Sequence, residues 1–194
     1  MILRILLLPV MLCVPALQPA AQTQVQRDSM SVMGYTKVAQ PCAYMNDTER
    51  EVIQMLNIAR MYPKWYLYFF LRTPRTANER TLHQTMSTMK TVPDPLIPDQ
   101  ALFESARCHA LSSGKTGYVG HVRQDKNCRK KFGGECCEYG NSSAADIVLN
   151  LLIDEGVPSL GHRFICLSPS FRKVGVSMQP HKTYGTNTVL DFGY

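Results

Sequence analysis

The hydrophobic period changes along this chain, and that change limits the fold more than any other feature of the sequence. Up to Glu155 the apolar residues recur mostly at helical spacing. Beyond it Val174, Val176 and Met178 alternate with polar neighbours, a turn covers 180–187, and Thr188 to Phe192 reads as a last strand. Gly134 to Tyr139 adds one further short strand. Helices followed by a closing hairpin predict an α+β chain: a short antiparallel sheet with helices packed on it.

The helical part can be read element by element. Thr48-Glu49-Arg50-Glu51 reads as a capping box that opens a helix burying Val52, Met55, Leu56 and Ala59. Pro63 suits the first turn of a second helix through Leu71, whose Trp65, Tyr66, Phe69 and Phe70 read as core. A third helix is expected around Glu79 to Lys90, before the loop broken by Pro93, Pro95 and Pro98. Asp99 caps a helix to Ser113 with Gly114 as its stop, and His109 on its apolar face reads as a hydrogen-bonded core histidine. Asn141-Ser142-Ser143 caps the next, which runs through Ile147, Val148, Leu151 and Leu152. Gly156 and Pro158 end it, which puts Glu155 on its last turn and lets His162 begin the following element.

The N-terminus predicts a compartment. Arg4 precedes the apolar run Ile5 to Val14, too short to span a bilayer, and Pro-Ala-Leu-Gln-Pro-Ala-Ala follows. Residues 1–21 therefore read as a secretory signal peptide, 22–45 as a flexible leader and 46–194 as one domain. Leu12 before Cys13 argues against a lipoprotein anchor. No other run is long and apolar enough for a transmembrane segment, so the expectation is a secreted protein, extracellular or periplasmic. The net charge is +6, or +5 without Arg4. Its densest basic cluster, Lys126 to Lys131, lacks interleaved aromatics and reads as a solvated loop, not as a site for sequence-specific nucleic acid. Of seven cysteines, six remain without Cys13. An even number in an exported chain predicts three disulfides, one of them joining Cys128 to Cys136 or Cys137. Without a Cys-x-x-Cys pair, cysteine-bound zinc is not expected.

Four polar groups converge in this reading. Glu155 and His162 flank a helix break, His121 ends Gly117-Tyr118-Val119-Gly120-His121, and Glu135 lies in Gly133-Gly134-Glu135. Neutral imidazoles ligate Zn²⁺ or a similar divalent cation, and carboxylates complete the shell or orient a bound water. The compact His-Glu-x-x-His spacing is absent, and Ser112, Ser113 and Ser159 carry no nucleophile motif.

These segments together resemble the CAP superfamily (cysteine-rich secretory proteins, antigen 5 and pathogenesis-related 1 proteins, or SCP domain), in its bacterial branch. The resemblance runs in order through Leu56-Asn57-Ile58-Ala59-Arg60 with Pro63, Pro95-Leu96, the helix holding Ala106 to Ala110, Gly117 to His121, Gly134-Glu135 to Tyr139-Gly140, Gly161-His162-Arg163 and Val174-Gly175-Val176. It implies an α-β-α sandwich around a short antiparallel sheet, and a cleft with two His and two Glu. His121 and His162 match the family's histidines and Glu135 its first Glu. Glu155 best matches the second, with Asp154 as the alternative. Cys136 stands where the family's Gly-Glu-Asn motif has Asn, and Leu152 where many members carry Trp. The function so implied is an exported module whose cleft binds a divalent metal and a small ligand, lipid or peptide. The competing reading is a metal-dependent hydrolase of peptide or ester bonds, with Glu135 and Glu155 as candidate catalytic acids.

Overall fold

The computed structural model describes residues 42–130 and 132–194. The expected signal peptide, nearly all of the expected leader, and Lys131 of the basic cluster lie outside the described residues. The elements are α1 (Asp47–Met61), α2 (Pro63–Phe70), α3 (Ala77–Thr88), β1 (Ile97–Pro98), α4 (Gln100–Thr116), β2 (Gly134–Tyr139), α5 (Ala144–Ile153), α6 (Gly161–Leu167), β3 (Lys173–His181) and β4 (Gly185–Gly193). The α+β class holds. The sheet has the order β1-β3-β4-β2 and is mixed: β2, β4 and β3 pair antiparallel, whereas β1 adds to β3 in parallel. A purely antiparallel sheet was expected, and the two-residue strand β1 is too short to leave a periodic signal.

Helices lie against both faces of the sheet, and strand alternation decides what each face meets. Cys136, Leu190, Phe192, Val174 and Val176 belong to the large core with α1, α3, α5 and α6 residues. Their neighbours Cys137 and Val189 turn the other way and pack on Ala106 and Ala110 of α4. The approach of α4 to the sheet is close. A Cβ on Gly175 of β3 would lie 2.0 Å from the Phe103 nitrogen. Gly114 meets the Pro180 carbonyl oxygen in the same way, at 2.1 Å. Gly114 is therefore a packing residue inside α4; the helix runs past it to Thr116 and stops at Gly117, which adopts the left-handed conformation.

Other boundaries move for local reasons. The N-cap of α1 is Asn46, whose side chain accepts from the Glu49 N–H while Glu49 accepts from the Asn46 N–H, so the capping box begins two residues before Thr48. The fold reaches back into the expected leader, because Cys42 and Met45 are buried. In α2 the expected core aromatics split: Tyr66 is fully buried, but Phe69 is exposed and stacks on Trp65 at 4.2 Å between ring centroids. The hairpin is longer than expected, since both strands extend through the 180–187 stretch as far as His181 and Gly185.

Arg60 ties the two ends of the domain together. It is fully buried, with no carboxylate paired to it among the described residues, and its guanidinium donates to three carbonyls: Cys166 at 3.1 Å, Ser168 at 2.6 Å and Phe171 at 3.0 Å. Burial pulls its pKa down to about 10, so it stays protonated at neutral pH. Removing it strands three acceptors in the core, at about 1–3 kcal/mol for each unsatisfied group. Arg60→Leu should therefore cost about 3 kcal/mol or more in denaturant unfolding; a loss below ~1 kcal/mol would contradict this role.

Candidate functional site

Two histidine–carboxylate pairs meet where α6 comes up beside β2. In the first, His121 Nδ1 lies 2.9 Å from Glu135 Oε1. In the second, His162 Nδ1 lies 2.7 Å from Asp154 Oδ1. The two imidazole rings are 5.9 Å apart between centroids. Both acids are buried, with side-chain exposures of 3% for Glu135 and 1% for Asp154, whereas His121 is 52% and His162 19% exposed. The carboxylates thus sit behind the rings and the rings face solvent.

The loop after α4 delivers His121, and its neighbour Gly120 is held from both sides. The Gly120 N–H donates to Tyr139 Oη at 2.9 Å, and its carbonyl lies 2.9 Å from His109 Nε2. His109 is fully buried, in agreement with the core reading. Burial holds its pKa below the usual imidazole value, outweighing the pull of Glu135. A neutral His109 carrying its proton on Nε2 then donates to Gly120 and fixes the residue before His121.

Asp154 holds the second histidine by a different device. Helix α5 ends at Ile153, and Asp154 takes the left-handed conformation, with φ 55°. Its Oδ2 accepts the His162 backbone N–H at 2.9 Å while Oδ1 takes the ring Nδ1. Arg163 closes the end of α5: its guanidinium donates to the Leu152 and Ile153 carbonyls at 2.7 and 2.9 Å, and to Asn78 O and Thr81 Oγ1 of α3 at 2.9 Å each. Otherwise orphaned helix-end carbonyls are satisfied from the start of the next helix.

This geometry corrects the place of Glu155. The helix was expected to carry it on its last turn; because α5 stops two residues earlier, Glu155 is exposed and accepts from Thr76 Oγ1 at 3.0 Å, at the N-cap of α3. It lines a groove of about 300 Å³ with Asn78, Thr81, Pro158 and Leu160. The acid paired with His162 is Asp154. The cysteine pairing also differs from expectation. Cys128 is bonded to Cys108 of α4, and Cys42, Cys136, Cys137 and Cys166 are free. Alternation along β2 sends Cys136 and Cys137 to opposite faces, each into its own core cluster.

Behind Glu135 lies a polar cluster that sequence spacing does not reveal. Arg123 Nη2 is 2.7 Å from Glu135 Oε2 and 3.4 Å from Asp191 Oδ2. Asp191 is the cross-strand partner of Glu135 and is fully buried. Burial, reinforced by the Glu135 charge, pushes Asp191 up to about 8, against the opposing hydrogen bond from Ser105 and the Arg123 charge. For Glu135 burial acts upward too, but the His121 hydrogen bond and the Arg123 charge win and hold it below the usual carboxylate range. At neutral pH the pair thus carries one negative charge, on Glu135, with the proton on Asp191. His109, Glu135 and Cys137 also each offer one ligand atom within 4.8 Å of the others, a buried group that can hold a metal ion. Cys137 enters through strand alternation, two residues from Glu135, with burial raising its thiol pKa. No protein-family model, curated protein or solved structure matches this chain.

The Asp191 proton has a thermodynamic signature. An acid whose folded pKa lies above its unfolded value of about 4 binds an extra proton in the native state, so its contribution to stability is lost as pH rises toward the folded value. His109 has the opposite sign at acidic pH, so the comparison must be made against a variant. The stability of the wild type minus that of Asp191→Asn should fall between about pH 4 and pH 8, at a slope approaching ~1.4 kcal/mol per pH unit. Denaturant unfolding of both proteins across that range checks this, and a pH-independent difference would contradict it.

Proposed function

We propose that this chain is an exported CAP-type module whose cleft binds a divalent metal ion, of which Zn²⁺ is the natural probe, through His121 and His162, with a small ligand, lipid or peptide bound beside it. The supporting observation is the matched pair of buried carboxylates behind the two rings. A carboxylate on Nδ1 fixes the ring and leaves Nε2 with its lone pair outward, the usual outer-shell arrangement of a metal-ligating histidine. Among the described residues neither Nε2 has a hydrogen-bond partner. The rings are close enough for one ion to take both, given Zn–N bonds of about 2.0–2.1 Å.

In this reading Glu135 and Asp154 orient the ligands and do not enter the coordination shell. Glu135 already faces His121 with one oxygen and Arg123 with the other, and both Asp154 oxygens accept from His162. A bound divalent ion would supply a positive centre for an anionic or carbonyl group of the ligand. The helices on both faces of the sheet and the disulfide accord with an exported CAP-type domain. The hydrolase alternative is less well supported, because it needs a carboxylate one water away from the reacting atom. Both buried acids are engaged by protein donors, and Glu155 is turned toward Thr76.

Calorimetric titration of Zn²⁺ into metal-stripped protein should give about one equivalent, lost in the double variant His121→Ala, His162→Ala. Asp154→Asn should weaken binding about 10–100-fold, and Glu155→Gln should leave it unchanged. Undiminished binding by the double histidine variant would refute the proposal.

A further inference from the structure

The site is built from two pieces that are far apart in sequence. One is β2 with the loop before it, carrying Glu135 and His121. The other is the α5–α6 corner, carrying Asp154 and His162. Where these pieces touch, Cys136 of β2 faces Cys166 of α6 across the main core, with the two sulfurs 3.9 Å apart. Both cysteines are fully buried. The Cys136 sulfur also lies 3.8 Å from the His162 carbonyl oxygen, so the contact sits directly under the second histidine. Cys137 is on the opposite face, and its sulfur is next to His121 Nδ1 and the Gly120 carbonyl.

We propose that Cys136 and Cys166 form a second disulfide, which joins the two halves of the histidine–carboxylate site. Three observations carry it. The sulfurs are already in contact at 3.9 Å, so closing the bond needs an approach of about 2 Å toward the usual S–S separation near 2.05 Å. The same chain carries another disulfide, Cys108–Cys128, which requires an oxidising milieu during folding. Each sulfur lies nearer to the other than to any competing thiol, because strand alternation removes Cys137 to the far face.

The chemistry is thiol–disulfide exchange with an external disulfide oxidant, a small disulfide or a dithiol–disulfide oxidoreductase. One cysteine, as thiolate, attacks the oxidant and forms a mixed disulfide, releasing the first thiol of the oxidant. The second cysteine then attacks the protein sulfur of that mixed disulfide, the Cys136–Cys166 bond forms, and the oxidant leaves as its second thiol. The two cysteines lose two electrons and two protons; the oxidant gains both. Both thiols are fully buried, out of reach of an oxidant in solution. Exchange in the closed fold is therefore slow, and the bond forms while α6 is still docking on β2. Once made, it is shielded from reductant by the same core.

Peptide mapping tests this directly. The full chain is refolded in a mixture of oxidised and reduced glutathione, then alkylated under denaturing conditions without reductant and cut with trypsin. Peptides 132–163 and 164–172 should be recovered mostly as one cross-linked species, with the alkyl group on Cys137. In Cys166→Ser, whose Cys108–Cys128 bond reports correct folding, Cys136 should become alkylated as well. Alkyl groups on both Cys136 and Cys166 of refolded wild type, or a bond from either to Cys42 or Cys137, would overturn the proposal. The test reads sulfur pairing alone, so it stands whether or not the site binds metal.

Discussion

The double grip of Asp154 on His162 is the contact on which the geometry of the site depends. One carboxylate takes both the backbone N–H and the ring Nδ1 of the same residue. It thereby fixes where α6 begins and how its first imidazole is turned. A carboxylate can do this only if α5 ends where it does, and the left-handed Asp154 provides that ending. Asp is among the few side chains found in this conformation with any frequency. Arg163 then occupies the Leu152 and Ile153 carbonyls that the interrupted helix leaves open.

The other half of the site reaches the same end through different means. Glu135 sits on a strand, and its charge is stabilised by His121 in front and Arg123 behind. Asp191, next to it across the strands, stays protonated at neutral pH because burial, reinforced by the Glu135 charge, pushes it up to about 8. His109 carries a proton to Gly120 and so steadies the loop. Two exposed or half-exposed imidazoles with their backs fixed by buried acids are the result. The two rings differ in exposure, His121 at 52% and His162 at 19%.

Much of this was legible in the sequence, and the failures have local causes. Period and caps place β2 and the start of α4 at Asp99, and they locate the hairpin but stop its strands short of His181 and Gly185. His121 at the end of Gly117 to His121, Glu135 after Gly133-Gly134 and His162 beyond the helix break stand out in the sequence, and the structure brings the three together. Glu155 was preferred to Asp154 because Gly156 looked like the helix stop. That rule assumes glycine supplies the left-handed residue, and here Asp154 supplies it. Gly114 misled in the same way: it is required by the Pro180 carbonyl pressed against α4, a long-range contact without a local signature. Asp191 has no signal along the chain because strand pairing brings it to Glu135; Arg123 comes from the loop after α4, and Cys137 joins from β2 itself, two residues on. The parallel strand β1 was missed because two residues carry no period.

A metal site between His121 and His162 needs both rings to present a free Nε2, and the ring tautomers report this without any metal. Nitrogen-15 chemical shifts of the metal-stripped protein, recorded above the usual histidine pKa of about 6.5, distinguish the two neutral forms. His121 and His162 should both appear as the Nδ1–H tautomer, with His109 as the Nε2–H form. If His121 and His162 carried their protons on Nε2, the carboxylates would not be orienting them as ligands, and the metal-site reading would be wrong.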